Sequence, residues 1–184
     1  MVDNFNFFFY IVVGLRYLKE VCMRILWITL CSVGLAASLA AGDFTTIGAK
    51  KCMMCHKGPS HHNVWEKWEA SKHTVAFKAL NPAKGEDKNP ECLACHTTGF
   101  KSGGYEIGGA TASQFEGVQC EACHGPGSAY KALSIMKDRQ QAIANGLLIP
   151  DEKTCLACHN KKSPTFKDFN YAEALKKIDH SYPK

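Results

Sequence analysis

Apolar residues recur at helical spacing in three segments of the chain. The spacing predicts a helix over residues 63–80, ended by Asn81-Pro82, a second over 128–144 with Ser128 as its cap, and a short third over 170–178. The positions expected to face inward are Val64, Trp65, Trp68, Val75 and Ala79 in the first helix and Leu133, Met136 and Ile143 in the second. Residues 99–117 are rich in glycine without an apolar period, which predicts a surface loop or a small hairpin. We see no convincing sheet, so we expect a mainly α fold with much irregular coil.

Residues 1–40 follow a different pattern, typical of a secretory signal. Arg24 precedes an apolar run, and the small residues Ser38 and Ala40 stand at the two positions that select cleavage. Residues 1–22 would be redundant as a second signal, so we expect translation to start at Met23 and cleavage to fall near Ala40. One long membrane anchor is the alternative, but charged residues interrupt it. Residues 41–184 then form one predicted domain in a periplasmic or extracellular protein.

The cysteines of that domain repeat one motif four times. Each C-x-x-C pair is followed at once by histidine. In chain order, motifs 1 to 4 are Cys52/Cys55/His56, Cys92/Cys95/His96, Cys120/Cys123/His124 and Cys155/Cys158/His159. C-x-x-C-H is the haem-attachment signature, in which two thiols bind the porphyrin covalently and the histidine binds the iron. The sequence therefore predicts four covalently bound haem c groups, each with a proximal histidine.

Zinc sites are the main alternative, since four C-x-x-C pairs could form two four-cysteine sites. A thioredoxin-type redox pair is another. Neither chemistry requires a histidine directly after every second cysteine, so haem is favoured. With four haems in so short a domain, the polypeptide cannot bury a core of its own, so the stacked haems must be that core, wrapped by short helices and coil. The formal net charge is +5, but haem propionates offset it, so no nucleic-acid partner is predicted.

Each haem iron has a second axial position, and the domain has four histidines outside the motifs. In falling order of preference these candidate distal ligands are His73, His62, His180 and His61. Adjacent side chains diverge, so His61 and His62 cannot cap the same iron. Both follow His56 so closely that reaching the far face of their own haem requires a very tight loop, and we expect His62 to serve a different haem. For each residue, the alternative is a solvated surface histidine.

Two stretches resemble a known family. G-A-K-K-C-M-M-C-H followed by W-E-K-W-E-A-S-K-H-T-V-A-F, and F-E-G-V-Q-C-E-A-C-H-G-P-G-S around motif 3, are similar to the tetrahaem cytochromes of the c-554 type. The resemblance implies haems stacked in close pairs, with His73 as a distal ligand. It also implies that one haem can be five-coordinate. Many relatives carry a histidine shortly after G-P-G, where this chain has Tyr130.

Three functions are compatible with this sequence. The leading hypothesis is an electron carrier, not an enzyme, that exchanges electrons with redox proteins or quinol-linked membrane cytochromes. The second is self-assembly as a subunit of an extracellular cytochrome filament. The third is a small reductase acting on a nitrogen or sulfur oxide at an open haem, which one five-coordinate iron would favour.

Overall fold

The computed structural model describes residues 44–181, and the predicted signal segment lies outside this range. Short helices joined by turns and irregular segments make up the described chain. They are α1 (Ala49–His56), α2 (Val64–Glu69), α3 (Pro90–His96), α4 (Cys120–His124), α5 (Leu133–Met136), α6 (Arg139–Ala144), α7 (Glu152–Leu156) and α8 (Tyr171–Ile178). Five 3-10 turns, Pro59–His61, Phe77–Ala79, Pro82–Lys84, Glu86–Lys88 and Ala112–Phe115, lie between them. Extended pairing within residues 44–181 is limited to one isolated bridge, between Thr97 and Glu116. The predicted fold class is confirmed.

The first predicted helix is interrupted, and the prediction of one helix over 63–80 is wrong. Helix α2 ends at Glu69, and the chain turns through residues 70–76 before a 3-10 turn at Phe77–Ala79. Within this segment the Thr74 hydroxyl donates to the Ser71 carbonyl, at 2.9 Å. The carbonyl of His73 accepts from the amide of Val118, at 2.9 Å. Because these bonds use groups that a continuous helix would need, tertiary contacts override the helical pattern.

The second predicted helix is also broken. Ser128 does not cap it, because its hydroxyl accepts a hydrogen bond from the amide of Thr45, at 2.8 Å. Helix α5 begins only at Leu133, and α6 is capped by the carboxylate of Asp138. By contrast, the third predicted helix is present as α8, and the side chain of Asn170 caps it by accepting from the amide of Glu173.

A small protein core lies around α3. Leu80, Leu93, Tyr105 and Phe115 are buried together, with Phe77 and Phe100 packed against them. The sequence had suggested that the polypeptide would bury no core of its own, so this cluster is a correction. Val75, Leu133 and Ile143 were expected to face inward but are exposed, because the broken helices place them away from this cluster. Between residues 44 and 181 no helix has the length and apolarity that crossing a bilayer requires.

Candidate haem-attachment sites

Helical geometry presents the two cysteines of each motif together. Helices α1, α3 and α4 each end at a motif histidine, so both cysteines of motifs 1 to 3 lie on a final helical turn. Residues three apart on a helix share a face, which is what two thiols need to reach one porphyrin. In motif 4, Cys155 belongs to α7 and the amide of His159 donates to the carbonyl of Cys155, which extends the same turn. The eight motif cysteines are free of disulfides.

Cys55 departs from the other attachment cysteines in its burial. The other seven are half-buried, but Cys55 is exposed. The physical reason is its place at the end of α1, where the chain leaves through Lys57 and Gly58 and does not fold over the thiol, whereas Cys52 lies against motif 3. The polypeptide alone leaves this edge of motif 1 open to solvent, and haem attachment at Cys55 stays a prediction from the motif.

Three motif histidines each face a second imidazole. The ring centroids are 6.5 Å apart for His56 and His61, 6.1 Å for His159 and His73, and 5.9 Å for His124 and His180. A metal bound by two imidazoles at about 2 Å from each nitrogen would hold the ring centroids roughly 6 Å apart. The spacing of these pairs therefore fits an iron between the two rings.

Hydrogen bonds fix the tautomer of several imidazoles. Nδ1 lies 2.6 Å from the Ala76 carbonyl oxygen in His96 and 3.2 Å from that of Leu148 in His124. In His180, Nδ1 is 2.8 Å from the carbonyl oxygen of Ile178. A carbonyl oxygen only accepts, so Nδ1 must donate and Nε2 is left with its lone pair. Such backbone contacts orient metal-bound imidazoles, so these three residues are prepared to bind through Nε2.

Burial favours the neutral form of three of these imidazoles by lowering their pKa values. Desolvation lowers the pKa of His56, and the nearby imidazoles of His61 and His180 lower it further. The pKa of His73 is lowered by burial and then by His159. Burial also lowers the pKa of His124, although its hydrogen bond to Leu148 opposes the shift. A neutral imidazole is the form that binds iron.

The position of His61 differs from the sequence expectation. Gly58, at a φ of 91°, starts the 3-10 turn Pro59–His61, and His62 and Asn63 both adopt left-handed backbone conformations. This tight loop turns the chain back, so the His61 ring faces His56 of its own motif. The loop is as tight as the sequence argument required for a histidine to reach its own motif, and it places the His61 ring opposite His56.

Attachment cysteines from different motifs lie close together. A hydrogen bond between the thiols of Cys52 and Cys120 raises the pKa of Cys52 and lowers that of Cys120. Burial and the neighbouring thiol of Cys95 raise the pKa of Cys158 to about 12. The pKa of Cys123 is raised by burial and then by Cys155. Motif 1 thus adjoins motif 3, motif 3 adjoins motif 4, and motif 4 adjoins motif 2.

The carboxylate of Glu121 anchors motif 3 to the start of α1. It is 6 % exposed. Its Oε1 accepts from the amides of Ile47 (2.9 Å) and Gly127 (2.6 Å), and its Oε2 accepts from Ile47 (3.1 Å) and Gly48 (2.7 Å). The G-P-G turn after motif 3 brings the Gly127 amide back to this carboxylate, and a Cβ at Gly127 would lie 3.1 Å from Oε1. We name this arrangement the Glu121 clamp.

Other contacts hold the segment carrying His73 against motif 3. The indole of Trp68 donates to the carbonyl of Val118, at 2.9 Å. Gly117 has a φ of 80°, and a Cβ there would lie 2.5 Å from the carbonyl oxygen of Thr74. Only glycine permits this close approach. In the pair formed by His73 and His159, the ring of Phe169 stacks on His159, and the two ring centroids are 4.7 Å apart.

The zinc alternative receives no support from this geometry. A structural zinc site needs four ligands in one cluster. Within residues 44–181, no group of three or more histidine, cysteine or acidic side chains is arranged to hold a metal ion. The cysteines instead lie beside helix-terminal histidines, each able to offer one nitrogen to an iron. A mainly helical chain with four such sites is a multihaem c-type cytochrome.

Comparison with known proteins specifies the type. The family model "Cytochrome c554 and c-prime" matches residues 51–125. Cytochrome c-554 of Nitrosomonas europaea is 30% identical over 148 residues, which cover 66% of this chain and 60% of that protein. The reduced-state structure of cytochrome c554 from Nitrosomonas europaea matches with a TM-score of 0.52 and 25% identity, over 77% of this chain and 80% of that one. The resemblance inferred from the sequence is confirmed: the chain is similar to the tetrahaem cytochromes of the c-554 type, and it carries four motifs that attach haem c covalently.

Sequence reasoning missed two residues of these sites. Glu121 stands between the cysteines of motif 3, and its acidic side chain beside two attachment thiols was a signal that the sequence did show. A carboxylate at such a position is either exposed to solvent or held by hydrogen-bond donors of the protein. Phe169 lies ten residues beyond His159, and no local pattern indicates that the two rings stack.

Proposed function

We propose that this protein is a periplasmic or extracellular electron carrier. The observation that carries the proposal is the closeness of attachment cysteines from different motifs, which supports the order 1, 3, 4, 2. Each haem c, when bound, can take up and release one electron at its iron. The chain's own contribution is to hold neighbouring attachment sites so close that no gap interrupts the series. Electrons entering at either end then leave at the other.

The proposed ligand set follows from the imidazole pairs. His56, His96, His124 and His159 are the proximal ligands. His61 is the distal partner of His56, His73 of His159, and His180 of His124, in each case because the ring spacing suits an iron between them. Two imidazole ligands favour a lower reduction potential than a methionine would give. A carrier operating at low potential is the expected result.

The proposed partners are redox proteins or quinol-linked membrane cytochromes. The predicted signal over residues 1–40 would place the chain where such partners donate electrons. The chain spans about 60% of the length of the cytochrome c-554 relative. The partners of this chain are therefore proposed from its own chemistry. Assembly into a filament stays a prediction.

The series can be tested by removing one attachment site at a time. Cys155→Ser with Cys158→Ser removes an interior site, whereas Cys92→Ser with Cys95→Ser removes a terminal one. After a pulse of less than one equivalent of reductant, wild type and the terminal variant should equilibrate their haems in one fast phase. The interior variant should show an added slow phase. Equal kinetics in the two variants would contradict the series.

The ligand set can be tested with adjacent residues as a matched pair. His61→Ala should convert one haem in four from low to high spin in the ferric absorption and electron paramagnetic resonance spectra. His62→Ala should not convert the haem of motif 1, because the ring that faces His56 is that of His61. His73→Ala and His180→Ala should each convert one haem. If His62→Ala converts a haem and His61→Ala does not, the ranking made from the sequence is restored.

A second candidate function rests on His96. The Nδ1 of His96 donates to the carbonyl oxygen of Ala76, 2.6 Å away, which leaves its Nε2 to bind an iron from one side. An iron bound there on one side could accept a small nitrogen or sulfur oxide, as a reductase requires. Wild-type ferric protein would then show one high-spin haem, and carbon monoxide would bind one ferrous haem. Four low-spin haems and no carbon monoxide binding would exclude this function.

A further inference from the structure

Glu121 is the most strongly buried acidic residue of the described chain. Its hydrogen bonds alone do not explain why a charged side chain stands at this buried position. Within residues 44–181 the one ion pair joins Lys176 to Glu173, both exposed, so no cation neutralises Glu121. Three backbone amides of Ile47, Gly48 and Gly127 hold the carboxylate instead. Charge-assisted bonds from amides stabilise a carboxylate without cancelling its net charge. A negative charge therefore remains inside the protein.

This charge lies where two attachment sites meet. Glu121 follows Cys120 in motif 3, and it interacts electrostatically with both Cys120 and Cys52 of motif 1. The thiols of Cys52 and Cys120 themselves hydrogen-bond. The buried phenol of Tyr130 interacts electrostatically with both Glu121 and Cys52, and it donates to the carbonyl of Gly125 at 2.8 Å. Water is therefore kept from the carboxylate on several sides, and screening of its charge is weak.

We propose that Glu121 is a positioning residue that lowers the reduction potentials of the haems at motifs 1 and 3. Reduction adds one electron to a ferric iron and makes the site more negative by one charge. A buried carboxylate nearby opposes that change, so it favours the ferric state. In the series 1, 3, 4, 2, this charge acts at one end only. It therefore sets a downhill direction from the pair at motifs 1 and 3 towards motifs 4 and 2.

The expected size follows from Coulomb's law. At roughly 10 Å and an effective dielectric of about 20, a unit charge changes a one-electron equilibrium by about tenfold. A tenfold change in a one-electron couple corresponds to about 59 mV. Removing the charge should raise two of the four potentials by an amount of this order. The other two should move much less, because the field falls with distance.

Three variants separate charge from structure. Glu121→Gln removes the charge but keeps the size of the side chain. Glu121→Asp keeps the charge and weakens the hydrogen bonds, because the shorter side chain reaches the amides less well. Glu106→Gln removes an exposed charge from the glycine-rich loop and serves as the control, since water and salt screen that position.

The measurement is a redox titration of each purified four-haem protein, followed by nuclear magnetic resonance so that each haem is resolved. Two potentials should rise in Glu121→Gln, while all four stay near their wild-type values in Glu121→Asp and Glu106→Gln. The melting temperature should fall in both Glu121 variants. If both variants raise the same potentials equally, or neither does, Glu121 is only a clamp and the proposal is overturned.

If Glu121→Gln does not mature into a four-haem protein, the Glu121→Asp variant tests the proposal. Retained low potentials in Glu121→Asp, despite a lower melting temperature, would support the role of the charge, and raised potentials would overturn it. The inference rests on haem attachment at motifs 1 and 3 and not on any redox partner. Its failure would leave the kinetic test of the series unaffected, so the two proposals can fail separately.

Discussion

Two regions of the molecule are built in different ways. Residues 44–127, the packed region, carry motifs 1 to 3, the Glu121 clamp and the apolar cluster around Leu93. Residues 128–181, the open region, carry motif 4, and only Tyr130 and Ala142 are buried there. The family model matches residues 51–125, which lie wholly in the packed region. In the packed region the haems are therefore attached to a scaffold of protein contacts. In the open region the haem largely takes the place of such a scaffold.

Hydrogen bonding follows the same division. In the packed region, side chains bond to backbone groups far along the chain, as when the side chain of Gln119 accepts from Ala49 at 2.8 Å. The Thr98 hydroxyl likewise donates to the carbonyl of Gly117, at 2.8 Å. In the open region most side-chain bonds are local, such as the capping box between Asp151 and Thr154, and Ser128 at its start is an exception. Two imidazole pairs, His73 with His159 and His124 with His180, also join the open region to the rest, so we expect its order to depend on the iron between them.

The largest expected effect concerns haem loss in the open region. Cys155→Ser with Cys158→Ser should lower the protein mass by one haem and speed amide hydrogen exchange over residues 128–181 by roughly a hundredfold or more. Residues 44–127 should keep their protection. In Cys92→Ser with Cys95→Ser, the packed region should lose far less of its protection from amide hydrogen exchange, because its own contacts remain. Equal loss of protection in both variants would break the comparison.

An intermediate effect is expected from the protein core. Leu93 is fully buried (0% exposed). Leu93→Ala should lower the free energy of unfolding by about 3 kcal/mol, through lost burial and the cavity left behind. Leu175→Ala, at an exposed position of α8, should cost less than about 1 kcal/mol. Denaturant titration of the holoproteins measures both values. A similar cost at the two positions would show that the packed region has no core of its own.

The smallest effect concerns the cap of α7. Hydrogen bonds from the Thr154 amide lower the pKa of Asp151. The pKa of Asp151 is thus lower in the folded chain than in the unfolded one. The cap therefore stabilises α7 fully at any pH above the ordinary pKa of an aspartate. This stabilisation is lost as the pH falls through the lowered pKa of the folded state. Asp151→Ala should speed amide exchange in α7 severalfold at neutral pH and little in acid. Asp168→Ala, which removes an exposed carboxylate in the same region, is the control. An equal effect of Asp168→Ala on amide exchange in α7 would contradict the role of the cap.

Local sequence patterns predicted the helices where local interactions decide. Helix α8 and its cap at Asn170 appear as expected, because the cap and the apolar spacing lie within a few residues of each other. The predicted helices over 63–80 and 128–144 are broken, because Thr74, His73 and Ser128 bond to groups outside the helical ladder, two of them far away in the chain. Such bonds leave no trace in a local pattern.

The sequence by itself determined the chemistry of this protein. Each C-x-x-C-H motif is a local unit, since two thiols and an imidazole within one helical turn suffice to define a haem site. Only the tertiary structure decided which imidazole faces which, because that depends on the tight loop at Gly58, on the turn at residues 70–76 and on the end of α8. The tertiary structure also decided the order of the motifs and the burial of Glu121. Both depend on contacts between segments that lie far apart in the chain, and the spacing of residues does not encode such contacts.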